Sequence, residues 1–290
     1  MTFRVTFWGT RGSIPTPGPA TARYGGNTPS IEVRRPAPDG DAVAILDGGT
    51  GVAGLGRQLV ANGSPVSVDL LVSHTHWDHI QGLPFFQPFF EPGSQVRIWG
   101  AKQGGVDLEE ILRNQMSPVV FPVPLDGLAA ELAVQHIGAG EFEAAGFAIR
   151  AMQVRHPGTT LAFRLTPADG GTSFAYVPDN ELGSGGDYDL PASWKSDFVE
   201  FLRDADVLVH DAMYTPDELE DHRGWGHSSY MEAVQLAVEA DVKQLVMFHH
   251  RPEHDDDTVD RMLEQARTAA KTLGSSIDVI AAREGLELTL

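Results

Sequence analysis

The most constraining stretch of the chain is SHTHWDHIQG (73–82), which follows the apolar run VDLLV (68–72). It places His74, His76, Asp78 and His79 within six positions. A loop so dense in imidazole and carboxylate makes a poor core. Neutral imidazole and carboxylate are instead the ligands that zinc and similar transition metals take. In an extended chain the H-x-H spacing sets two imidazoles on one side. The adjacent Asp78 and His79, where a helix begins, can turn toward a second position nearby. A fold that uses this loop must hold it at the end of a strand and bring further ligands to it.

Those ligands cannot be thiolates, because the sequence contains 0 Cys. Disulfides, iron–sulfur clusters and a cysteine nucleophile are excluded on the same ground. The 290 residues are 42% hydrophobic, enough for a sizeable core, and the formal charge is −19. The acidity is uneven: residues 181–260 hold 20 acidic and 5 basic side chains, a net −15. Such a surface opposes long-range attraction of a polyanion. The N-terminus MTFRVTFWGTRG has no signal-peptide-like apolar run, and no stretch approaches the ~18 apolar residues of a membrane span. The expectation is a soluble, cytoplasmic protein.

Short apolar or β-branched runs recur at 4–9, 42–47, 68–74, 95–100, 147–154, 160–165, 173–179, 206–211, 244–249 and 277–282. Segments 52–62, 193–205, 229–240 and 258–273 repeat apolar residues at helical spacing. Loop-like insertions occupy 15–22 and 35–41. Strand patterns dominate the first half, and strands alternate with helices in the second. Two sheets packed face to face with helices outside, an α/β single domain over 1–290, account for both. A dinucleotide-binding sheet does not: GGTGVAGLG (48–56) follows a strand, but no acidic residue ends a following strand about 20 residues on.

The order His74-x-His76-x-Asp78-His79 after an apolar strand resembles the signature of the metallo-β-lactamase superfamily. The resemblance implies a four-layer αβ/βα sandwich with a two-metal site along the edge between the sheets. It also implies the remaining ligands. His156, ending AMQVRH, resembles the third histidine of the first metal site. Asp179, ending SFAYVPD, resembles the aspartate shared by both metals. His249, ending QLVMFH, resembles the last histidine of the second site, and is preferred to His250 because it directly follows its strand. The set is then His74, His76 and His156 on one ion, Asp78, His79 and His249 on the other, with Asp179 between them. The ions would be two divalent metals, zinc first, with manganese or iron as alternatives. His136, His222 and His254 lie in polar surroundings and read as surface residues.

FWGTRGSIP (7–15), YGGNTPS (24–30), GLPFF (82–86), HDAMY (210–214) and GHSS (226–229) resemble the phosphodiesterase branch, which includes ribonuclease Z and bacterial cyclic phosphodiesterases. In that picture Asp78 helps orient the attacking hydroxide and His227 protonates the leaving group. Asp211 or His210 orients the His227 ring; the sequence does not order the two. Asp47 resembles a carboxylate that bonds a metal-binding histidine, and as an Asp before Gly-Gly it equally suits a turn. Arg11, Asn27 and Thr28 are expected to brace loops beside the site, and Phe85, Phe86, Phe89 and Phe90 to form core or a dimer surface.

Only 22 residues separate His156 from Asp179, too few for the long tRNA-gripping arm that many ribonuclease Z members insert there. With the acidic charge, this favours a small cyclic phosphodiester such as a cyclic nucleotide over a nucleic acid, and a homodimer as a means of closing a pocket. The alternatives are a ribonuclease Z-like endonuclease and a lactonase- or lactamase-type hydrolase. A non-catalytic binding protein would have no need of so complete a ligand set.

Overall fold

A computed structural model describes residues 2–37, 40–183 and 185–290, so Pro38 and Asp39 of the 35–41 loop lie outside the described residues. Among the described residues, fourteen strands form two seven-stranded sheets. The first contains β1 (Arg4–Gly9), β2 (Ser30–Arg35), β3 (Ala42–Leu46), β4 (Ser67–Leu71), β5 (Gln95–Gly100), β6 (Glu131–His136) and β14 (Glu287–Thr289), in the order β14-β1-β2-β3-β4-β5-β6. The second contains β7 (Gly140–Ala144), β8 (Phe147–Gln153), β9 (Leu161–Pro167), β10 (Phe174–Val177), β11 (Val207–Asp211), β12 (Gln244–Phe248) and β13 (Asp278–Ala281), in the order β13-β12-β11-β10-β9-β8-β7.

Side-chain alternation explains the layering. In β10, Phe174 and Tyr176 face the first sheet, while Ala175 and Val177 face helices. In β12, Val246 and Phe248 point inward and Leu245 and Met247 outward. Both strands are apolar throughout because both of their faces are covered. The edge strand β7 is largely polar, and only Phe142 and the terminal Ala144 reach the core, with Ala145 just after it.

Helices α1 (Gly51–Leu59) and α3 (Leu108–Gln115) cover the outer face of the first sheet through Val52, Leu55, Leu108 and Leu112. Helices α4 (Trp194–Leu202), α6 (Tyr230–Glu239) and α7 (Asp256–Thr272) cover the second. The result is helix–sheet–sheet–helix, the four layers expected. Short helices α2 (Trp77–Ile80) and α5 (Pro216–Asp221) lie in connections. Helix α6 begins at a capping box, in which Ser229 accepts from the Glu232 amide and Glu232 accepts from that of Ser229. That cap fixes the chain immediately after His227. Among the described residues no helix is long and apolar enough to cross a membrane.

Strand direction gathers the polar residues. Strands β3 and β4 are parallel, as are β10, β11 and β12. Strand β8 runs the same way as β10, since each is antiparallel to β9. Asp47, His74, His156, Asp179, Asp211 and His249 therefore all sit at or just beyond carboxyl ends of strands, where loops converge on one rim of the sandwich.

Candidate metal centre

Helix α2 begins immediately after His76, so Asp78 and His79 occupy its first turn, with His79 buried. Strand ends bring His74, His156, Asp179 and His249 against them, and all four are buried. His76 alone of the seven residues is exposed. Ligand-type atoms of His74, His76, His156 and Asp179 lie within 4.8 Å of one another, and so do those of Asp78, His79, Asp179 and His249. Asp179 is common to both groups. Its Oδ2 lies 3.5 Å from Nε2 of His74 and 3.5 Å from Nε2 of His156. Its Oδ1 lies 3.0 Å from Nε2 of His79 and 3.1 Å from Nε2 of His249.

The outer nitrogens show which ring atoms are free. His79 donates Nδ1–H to Asp47 Oδ2 at 2.7 Å, and His156 donates Nδ1–H to the Gly226 carbonyl at 2.9 Å. Each Nε2 therefore presents a lone pair inward. The Nε2 atoms of His74 and His79 and Oδ1 of Asp179 are buried without a hydrogen-bond partner. Lone pairs facing a carboxylate oxygen at these distances repel unless a proton or cation lies between them. The Nδ1 of His76 meets His156 Nε2 at 2.9 Å, completing the first group. This donor set fits a divalent cation in each group.

Charge supports the same reading. Burial lowers the pKa of His74, with His79 adding to the effect; it lowers His76 to about 4, and it outweighs Asp179 in lowering His156. These rings are neutral at ordinary pH, as metal binding requires. His79 differs. Burial opposes its charge, but Asp179, Asp78 and Asp47 raise its pKa well above the usual imidazole value. The negative field that favours a proton there equally favours a cation. Burial would raise the Asp179 pKa, yet His249, His79 and His156 hold it well below the usual carboxylate range.

Local backbone is strained in the same place. Ser13, Asp47 and His249 all adopt φ of 61°. Left-handed backbone in non-glycine residues costs about 1–3 kcal/mol each and persists where the surroundings enforce it. Ser13 uses that conformation to donate its amide to Asp78 Oδ2 at 2.7 Å. Two glycines abut ligand rings. A Cβ on Gly12 would lie 2.5 Å from the His249 ring, and one on Gly226 would lie 2.2 Å from Nδ1 of His156.

Beside the second group, His227 Nδ1 bonds Asp211 Oδ2 at 2.9 Å, and the His227 ring stacks on His249 with centroids 5.2 Å apart. Burial disfavours the His227 charge, but Asp211 raises its pKa to about 9. Asp211 is held in turn by the Met213 amide at 2.9 Å. His210 turns elsewhere, toward the Asp211 carbonyl and Asn180. Asp211, and not His210, is thus the residue bonded to the His227 ring. His250 also leaves the cluster, bonding the Ala282 carbonyl at 2.8 Å. Asp47 faces His79 rather than merely forming a turn.

Arg11 is fully buried and donates to the carbonyls of Gly25, Arg251 and His254, bracing loops as expected. Asn27 bonds Glu284, and Thr28 bonds Thr50 and Gln81. Phe86 and Phe89 are core, but Phe85 is exposed and touches Phe121. His136 is exposed, and His222 is partly buried against Tyr214. The expectation for His254 needs correction: it is buried, because Glu218 reaches its Nε2 at 2.8 Å. Unforeseen from the sequence were Ser73 and Tyr176, which bond Asp47, and the Gly226 carbonyl. Ser73 adjoins the histidine motif and Tyr176 lies three residues before Asp179, but neither position carries a ligand-type signal.

Two helix-flanked sheets thus carry paired His/Asp groups at their rim, each able to hold a metal ion. Residues 45–250 match the family model of the beta-lactamase superfamily domain, and the chain belongs to that superfamily. It is 26% identical to a ribonuclease Z of Haloarcula marismortui, over 99% of this chain and 96% of that protein. Its fold is similar to that of YhfI from Bacillus subtilis, a metallo-beta-lactamase fold protein (TM-score 0.68, 22% identity, 100% of both chains). It is also similar to yeast PDE1 (TM-score 0.69, 14% identity, 100% of this chain and 99% of that one). Human tRNase Z, short form, gives a TM-score of 0.65 at 17% identity, covering 98% of both chains.

The geometry separates the two adjacent histidines. Elemental analysis of metal-saturated, desalted protein should find that His249→Ala loses about half of the bound metal. His250→Ala should retain the wild-type content, since that ring bonds only a distant carbonyl.

Proposed function

We propose that this hydrolase holds two divalent cations, zinc first with manganese or iron as alternatives, and cleaves a small cyclic phosphodiester such as a cyclic nucleotide. His74, His76 and His156 would hold one ion, Asp78, His79 and His249 the other, and Asp179 both. The observation that carries the reading is the division of Asp179, one oxygen toward each histidine group. Two adjacent cations supply charge that draws in phosphoryl oxygens and makes a nearby water a stronger acid.

The protein's own groups do the rest. The Ser13 amide fixes one oxygen of Asp78, leaving that carboxylate oriented to align the attacking water. His227 gives Nδ1–H to Asp211, so its Nε2 can carry a proton to the departing oxygen. The pKa of about 9 that Asp211 confers keeps that proton in place at neutral pH.

The preference for a small substrate is supported by the segment between His156 and Asp179. Half of it forms β9 and β10 within the second sheet and the rest is short connections, leaving no room for a protruding arm. A net charge of −19 also gives a long polyanion little remote attraction. The second reading is a ribonuclease Z-like endonuclease. It is favoured by the haloarchaeal relative of that name, which matches 99% of this chain.

Turnover assays separate the two. For a 2′,3′- or 3′,5′-cyclic nucleotide, kcat/KM should exceed that for precursor tRNA by about 10³, a difference of roughly 4 kcal/mol. Correctly placed 3′ cleavage of precursor tRNA, with no turnover of any cyclic nucleotide, would establish the second reading. His227→Ala should lower kcat by about 10²–10⁴ while retaining wild-type metal content. Loss of the metal would show that the ring serves as a ligand instead.

A further inference from the structure

Asp47 is fully buried at the end of β3, and its carboxylate is surrounded by donors from three elements. Oδ1 accepts from the Ser73 amide at 2.7 Å. Oδ2 accepts from His79 Nδ1 at 2.7 Å, from the Ser73 hydroxyl at 2.8 Å and from the Tyr176 hydroxyl at 2.6 Å. The Ser73 oxygen also lies 3.1 Å from Nδ1 of His74. Proton placement follows. The carboxylate takes the single serine hydrogen, so the Ser73 oxygen accepts Nδ1–H from His74. That tautomer leaves Nε2 of His74 with a lone pair facing Asp179.

One carboxylate therefore sets a ring in each half of the centre. It acts directly on His79 in one group and through Ser73 on His74 in the other. Tyr176 comes from the opposite sheet, where its ring packs against Phe248. Its phenol is held protonated, because burial and then Asp47 raise its pKa well above the usual value. It thus donates to Asp47 and hydrogen-bonds neither histidine.

We infer that Ser73 and Tyr176 are positioning residues that let Asp47 serve both halves at once, coupling the cation affinities of the two groups. This goes beyond the hydrogen bond between Asp47 and His79. It rests on the proposed metal centre but requires no particular substrate. Partners of ligating imidazoles typically alter metal affinity by 10–100-fold when removed.

The two variants carry different signatures. Ser73→Ala removes the bridge to His74 alone, whereas Tyr176→Phe changes Asp47, which both halves share. Zinc titration against a competing chelator should resolve two binding steps in the wild type. In Ser73→Ala one step should weaken 10–100-fold, with the other unchanged within about threefold or tighter. Tyr176→Phe should shift both steps in the same direction. Nitrogen NMR of histidine in ion-free Ser73→Ala should show His74 losing its fixed Nδ1–H tautomer while His79 keeps its Nδ1–H on Asp47. A purely packing role would lower unfolding stability in both variants without this split. Two wild-type steps left within about twofold by both variants, with the His74 tautomer intact, would overturn the inference. Wild-type protein without two zinc steps would instead overturn the metal-centre reading on which it rests.

Discussion

Asp179 poses the electrostatic problem that the rest of the structure answers. A fully desolvated carboxylate is costly to bury alone, and this one faces imidazole lone pairs from both sides. Asp47 and Asp78 add two more buried carboxylates within the same network. Hydrogen bonds satisfy their outer oxygens and the outer ring nitrogens of His79 and His156. The inward Nε2 atoms of His74 and His79 and Oδ1 of Asp179 remain without such partners. Positive charge supplied to each group would offset both the burial and the repulsion.

The sandwich meets that demand through strand direction. Parallel strands deliver Asp47 and His74 from one sheet, and Asp179, Asp211 and His249 from the other, to the same rim. The inter-sheet core beneath them, including Phe163, Tyr176 and Phe248, fixes the separation of the two sheets. Loop strain at Asp47 and His249 then sets the last dihedral angles. Small residues matter for the same reason: Gly12 and Gly226 leave the space that two ligand rings occupy. The site is thus positioned by packing from below and by backbone contacts from the side.

Much of this was legible in the sequence where local order mirrors spatial order. His74, His76, Asp78 and His79 are adjacent in both, and strands such as β1 and β5 carry short β-branched or apolar runs matching their observed limits. His156, Asp179 and His249 were readable only as strand-end residues matching a family pattern. Strand β2 lacks a clean pattern because Glu32 is buried and pairs with Arg34. Strand β7 is a polar edge, and α3 is too short for its periodicity to stand out. The Ser73–Asp47–Tyr176 network depends on contacts spanning 26 and 129 residues, which no local spacing encodes. His254 misled for a related reason: its polar neighbours in sequence hide a buried ring hydrogen-bonded to Glu218.

The central claim is that one carboxylate joins two cation seats. Elemental analysis of metal-saturated, desalted wild-type protein beside a folded Asp179→Ala variant tests it most directly. The account predicts about two metal ions per chain in the wild type and loss of both when Asp179 is removed, because each seat then lacks its shared oxygen. A wild-type content of one ion or fewer, or an Asp179→Ala variant that retains both, would contradict it.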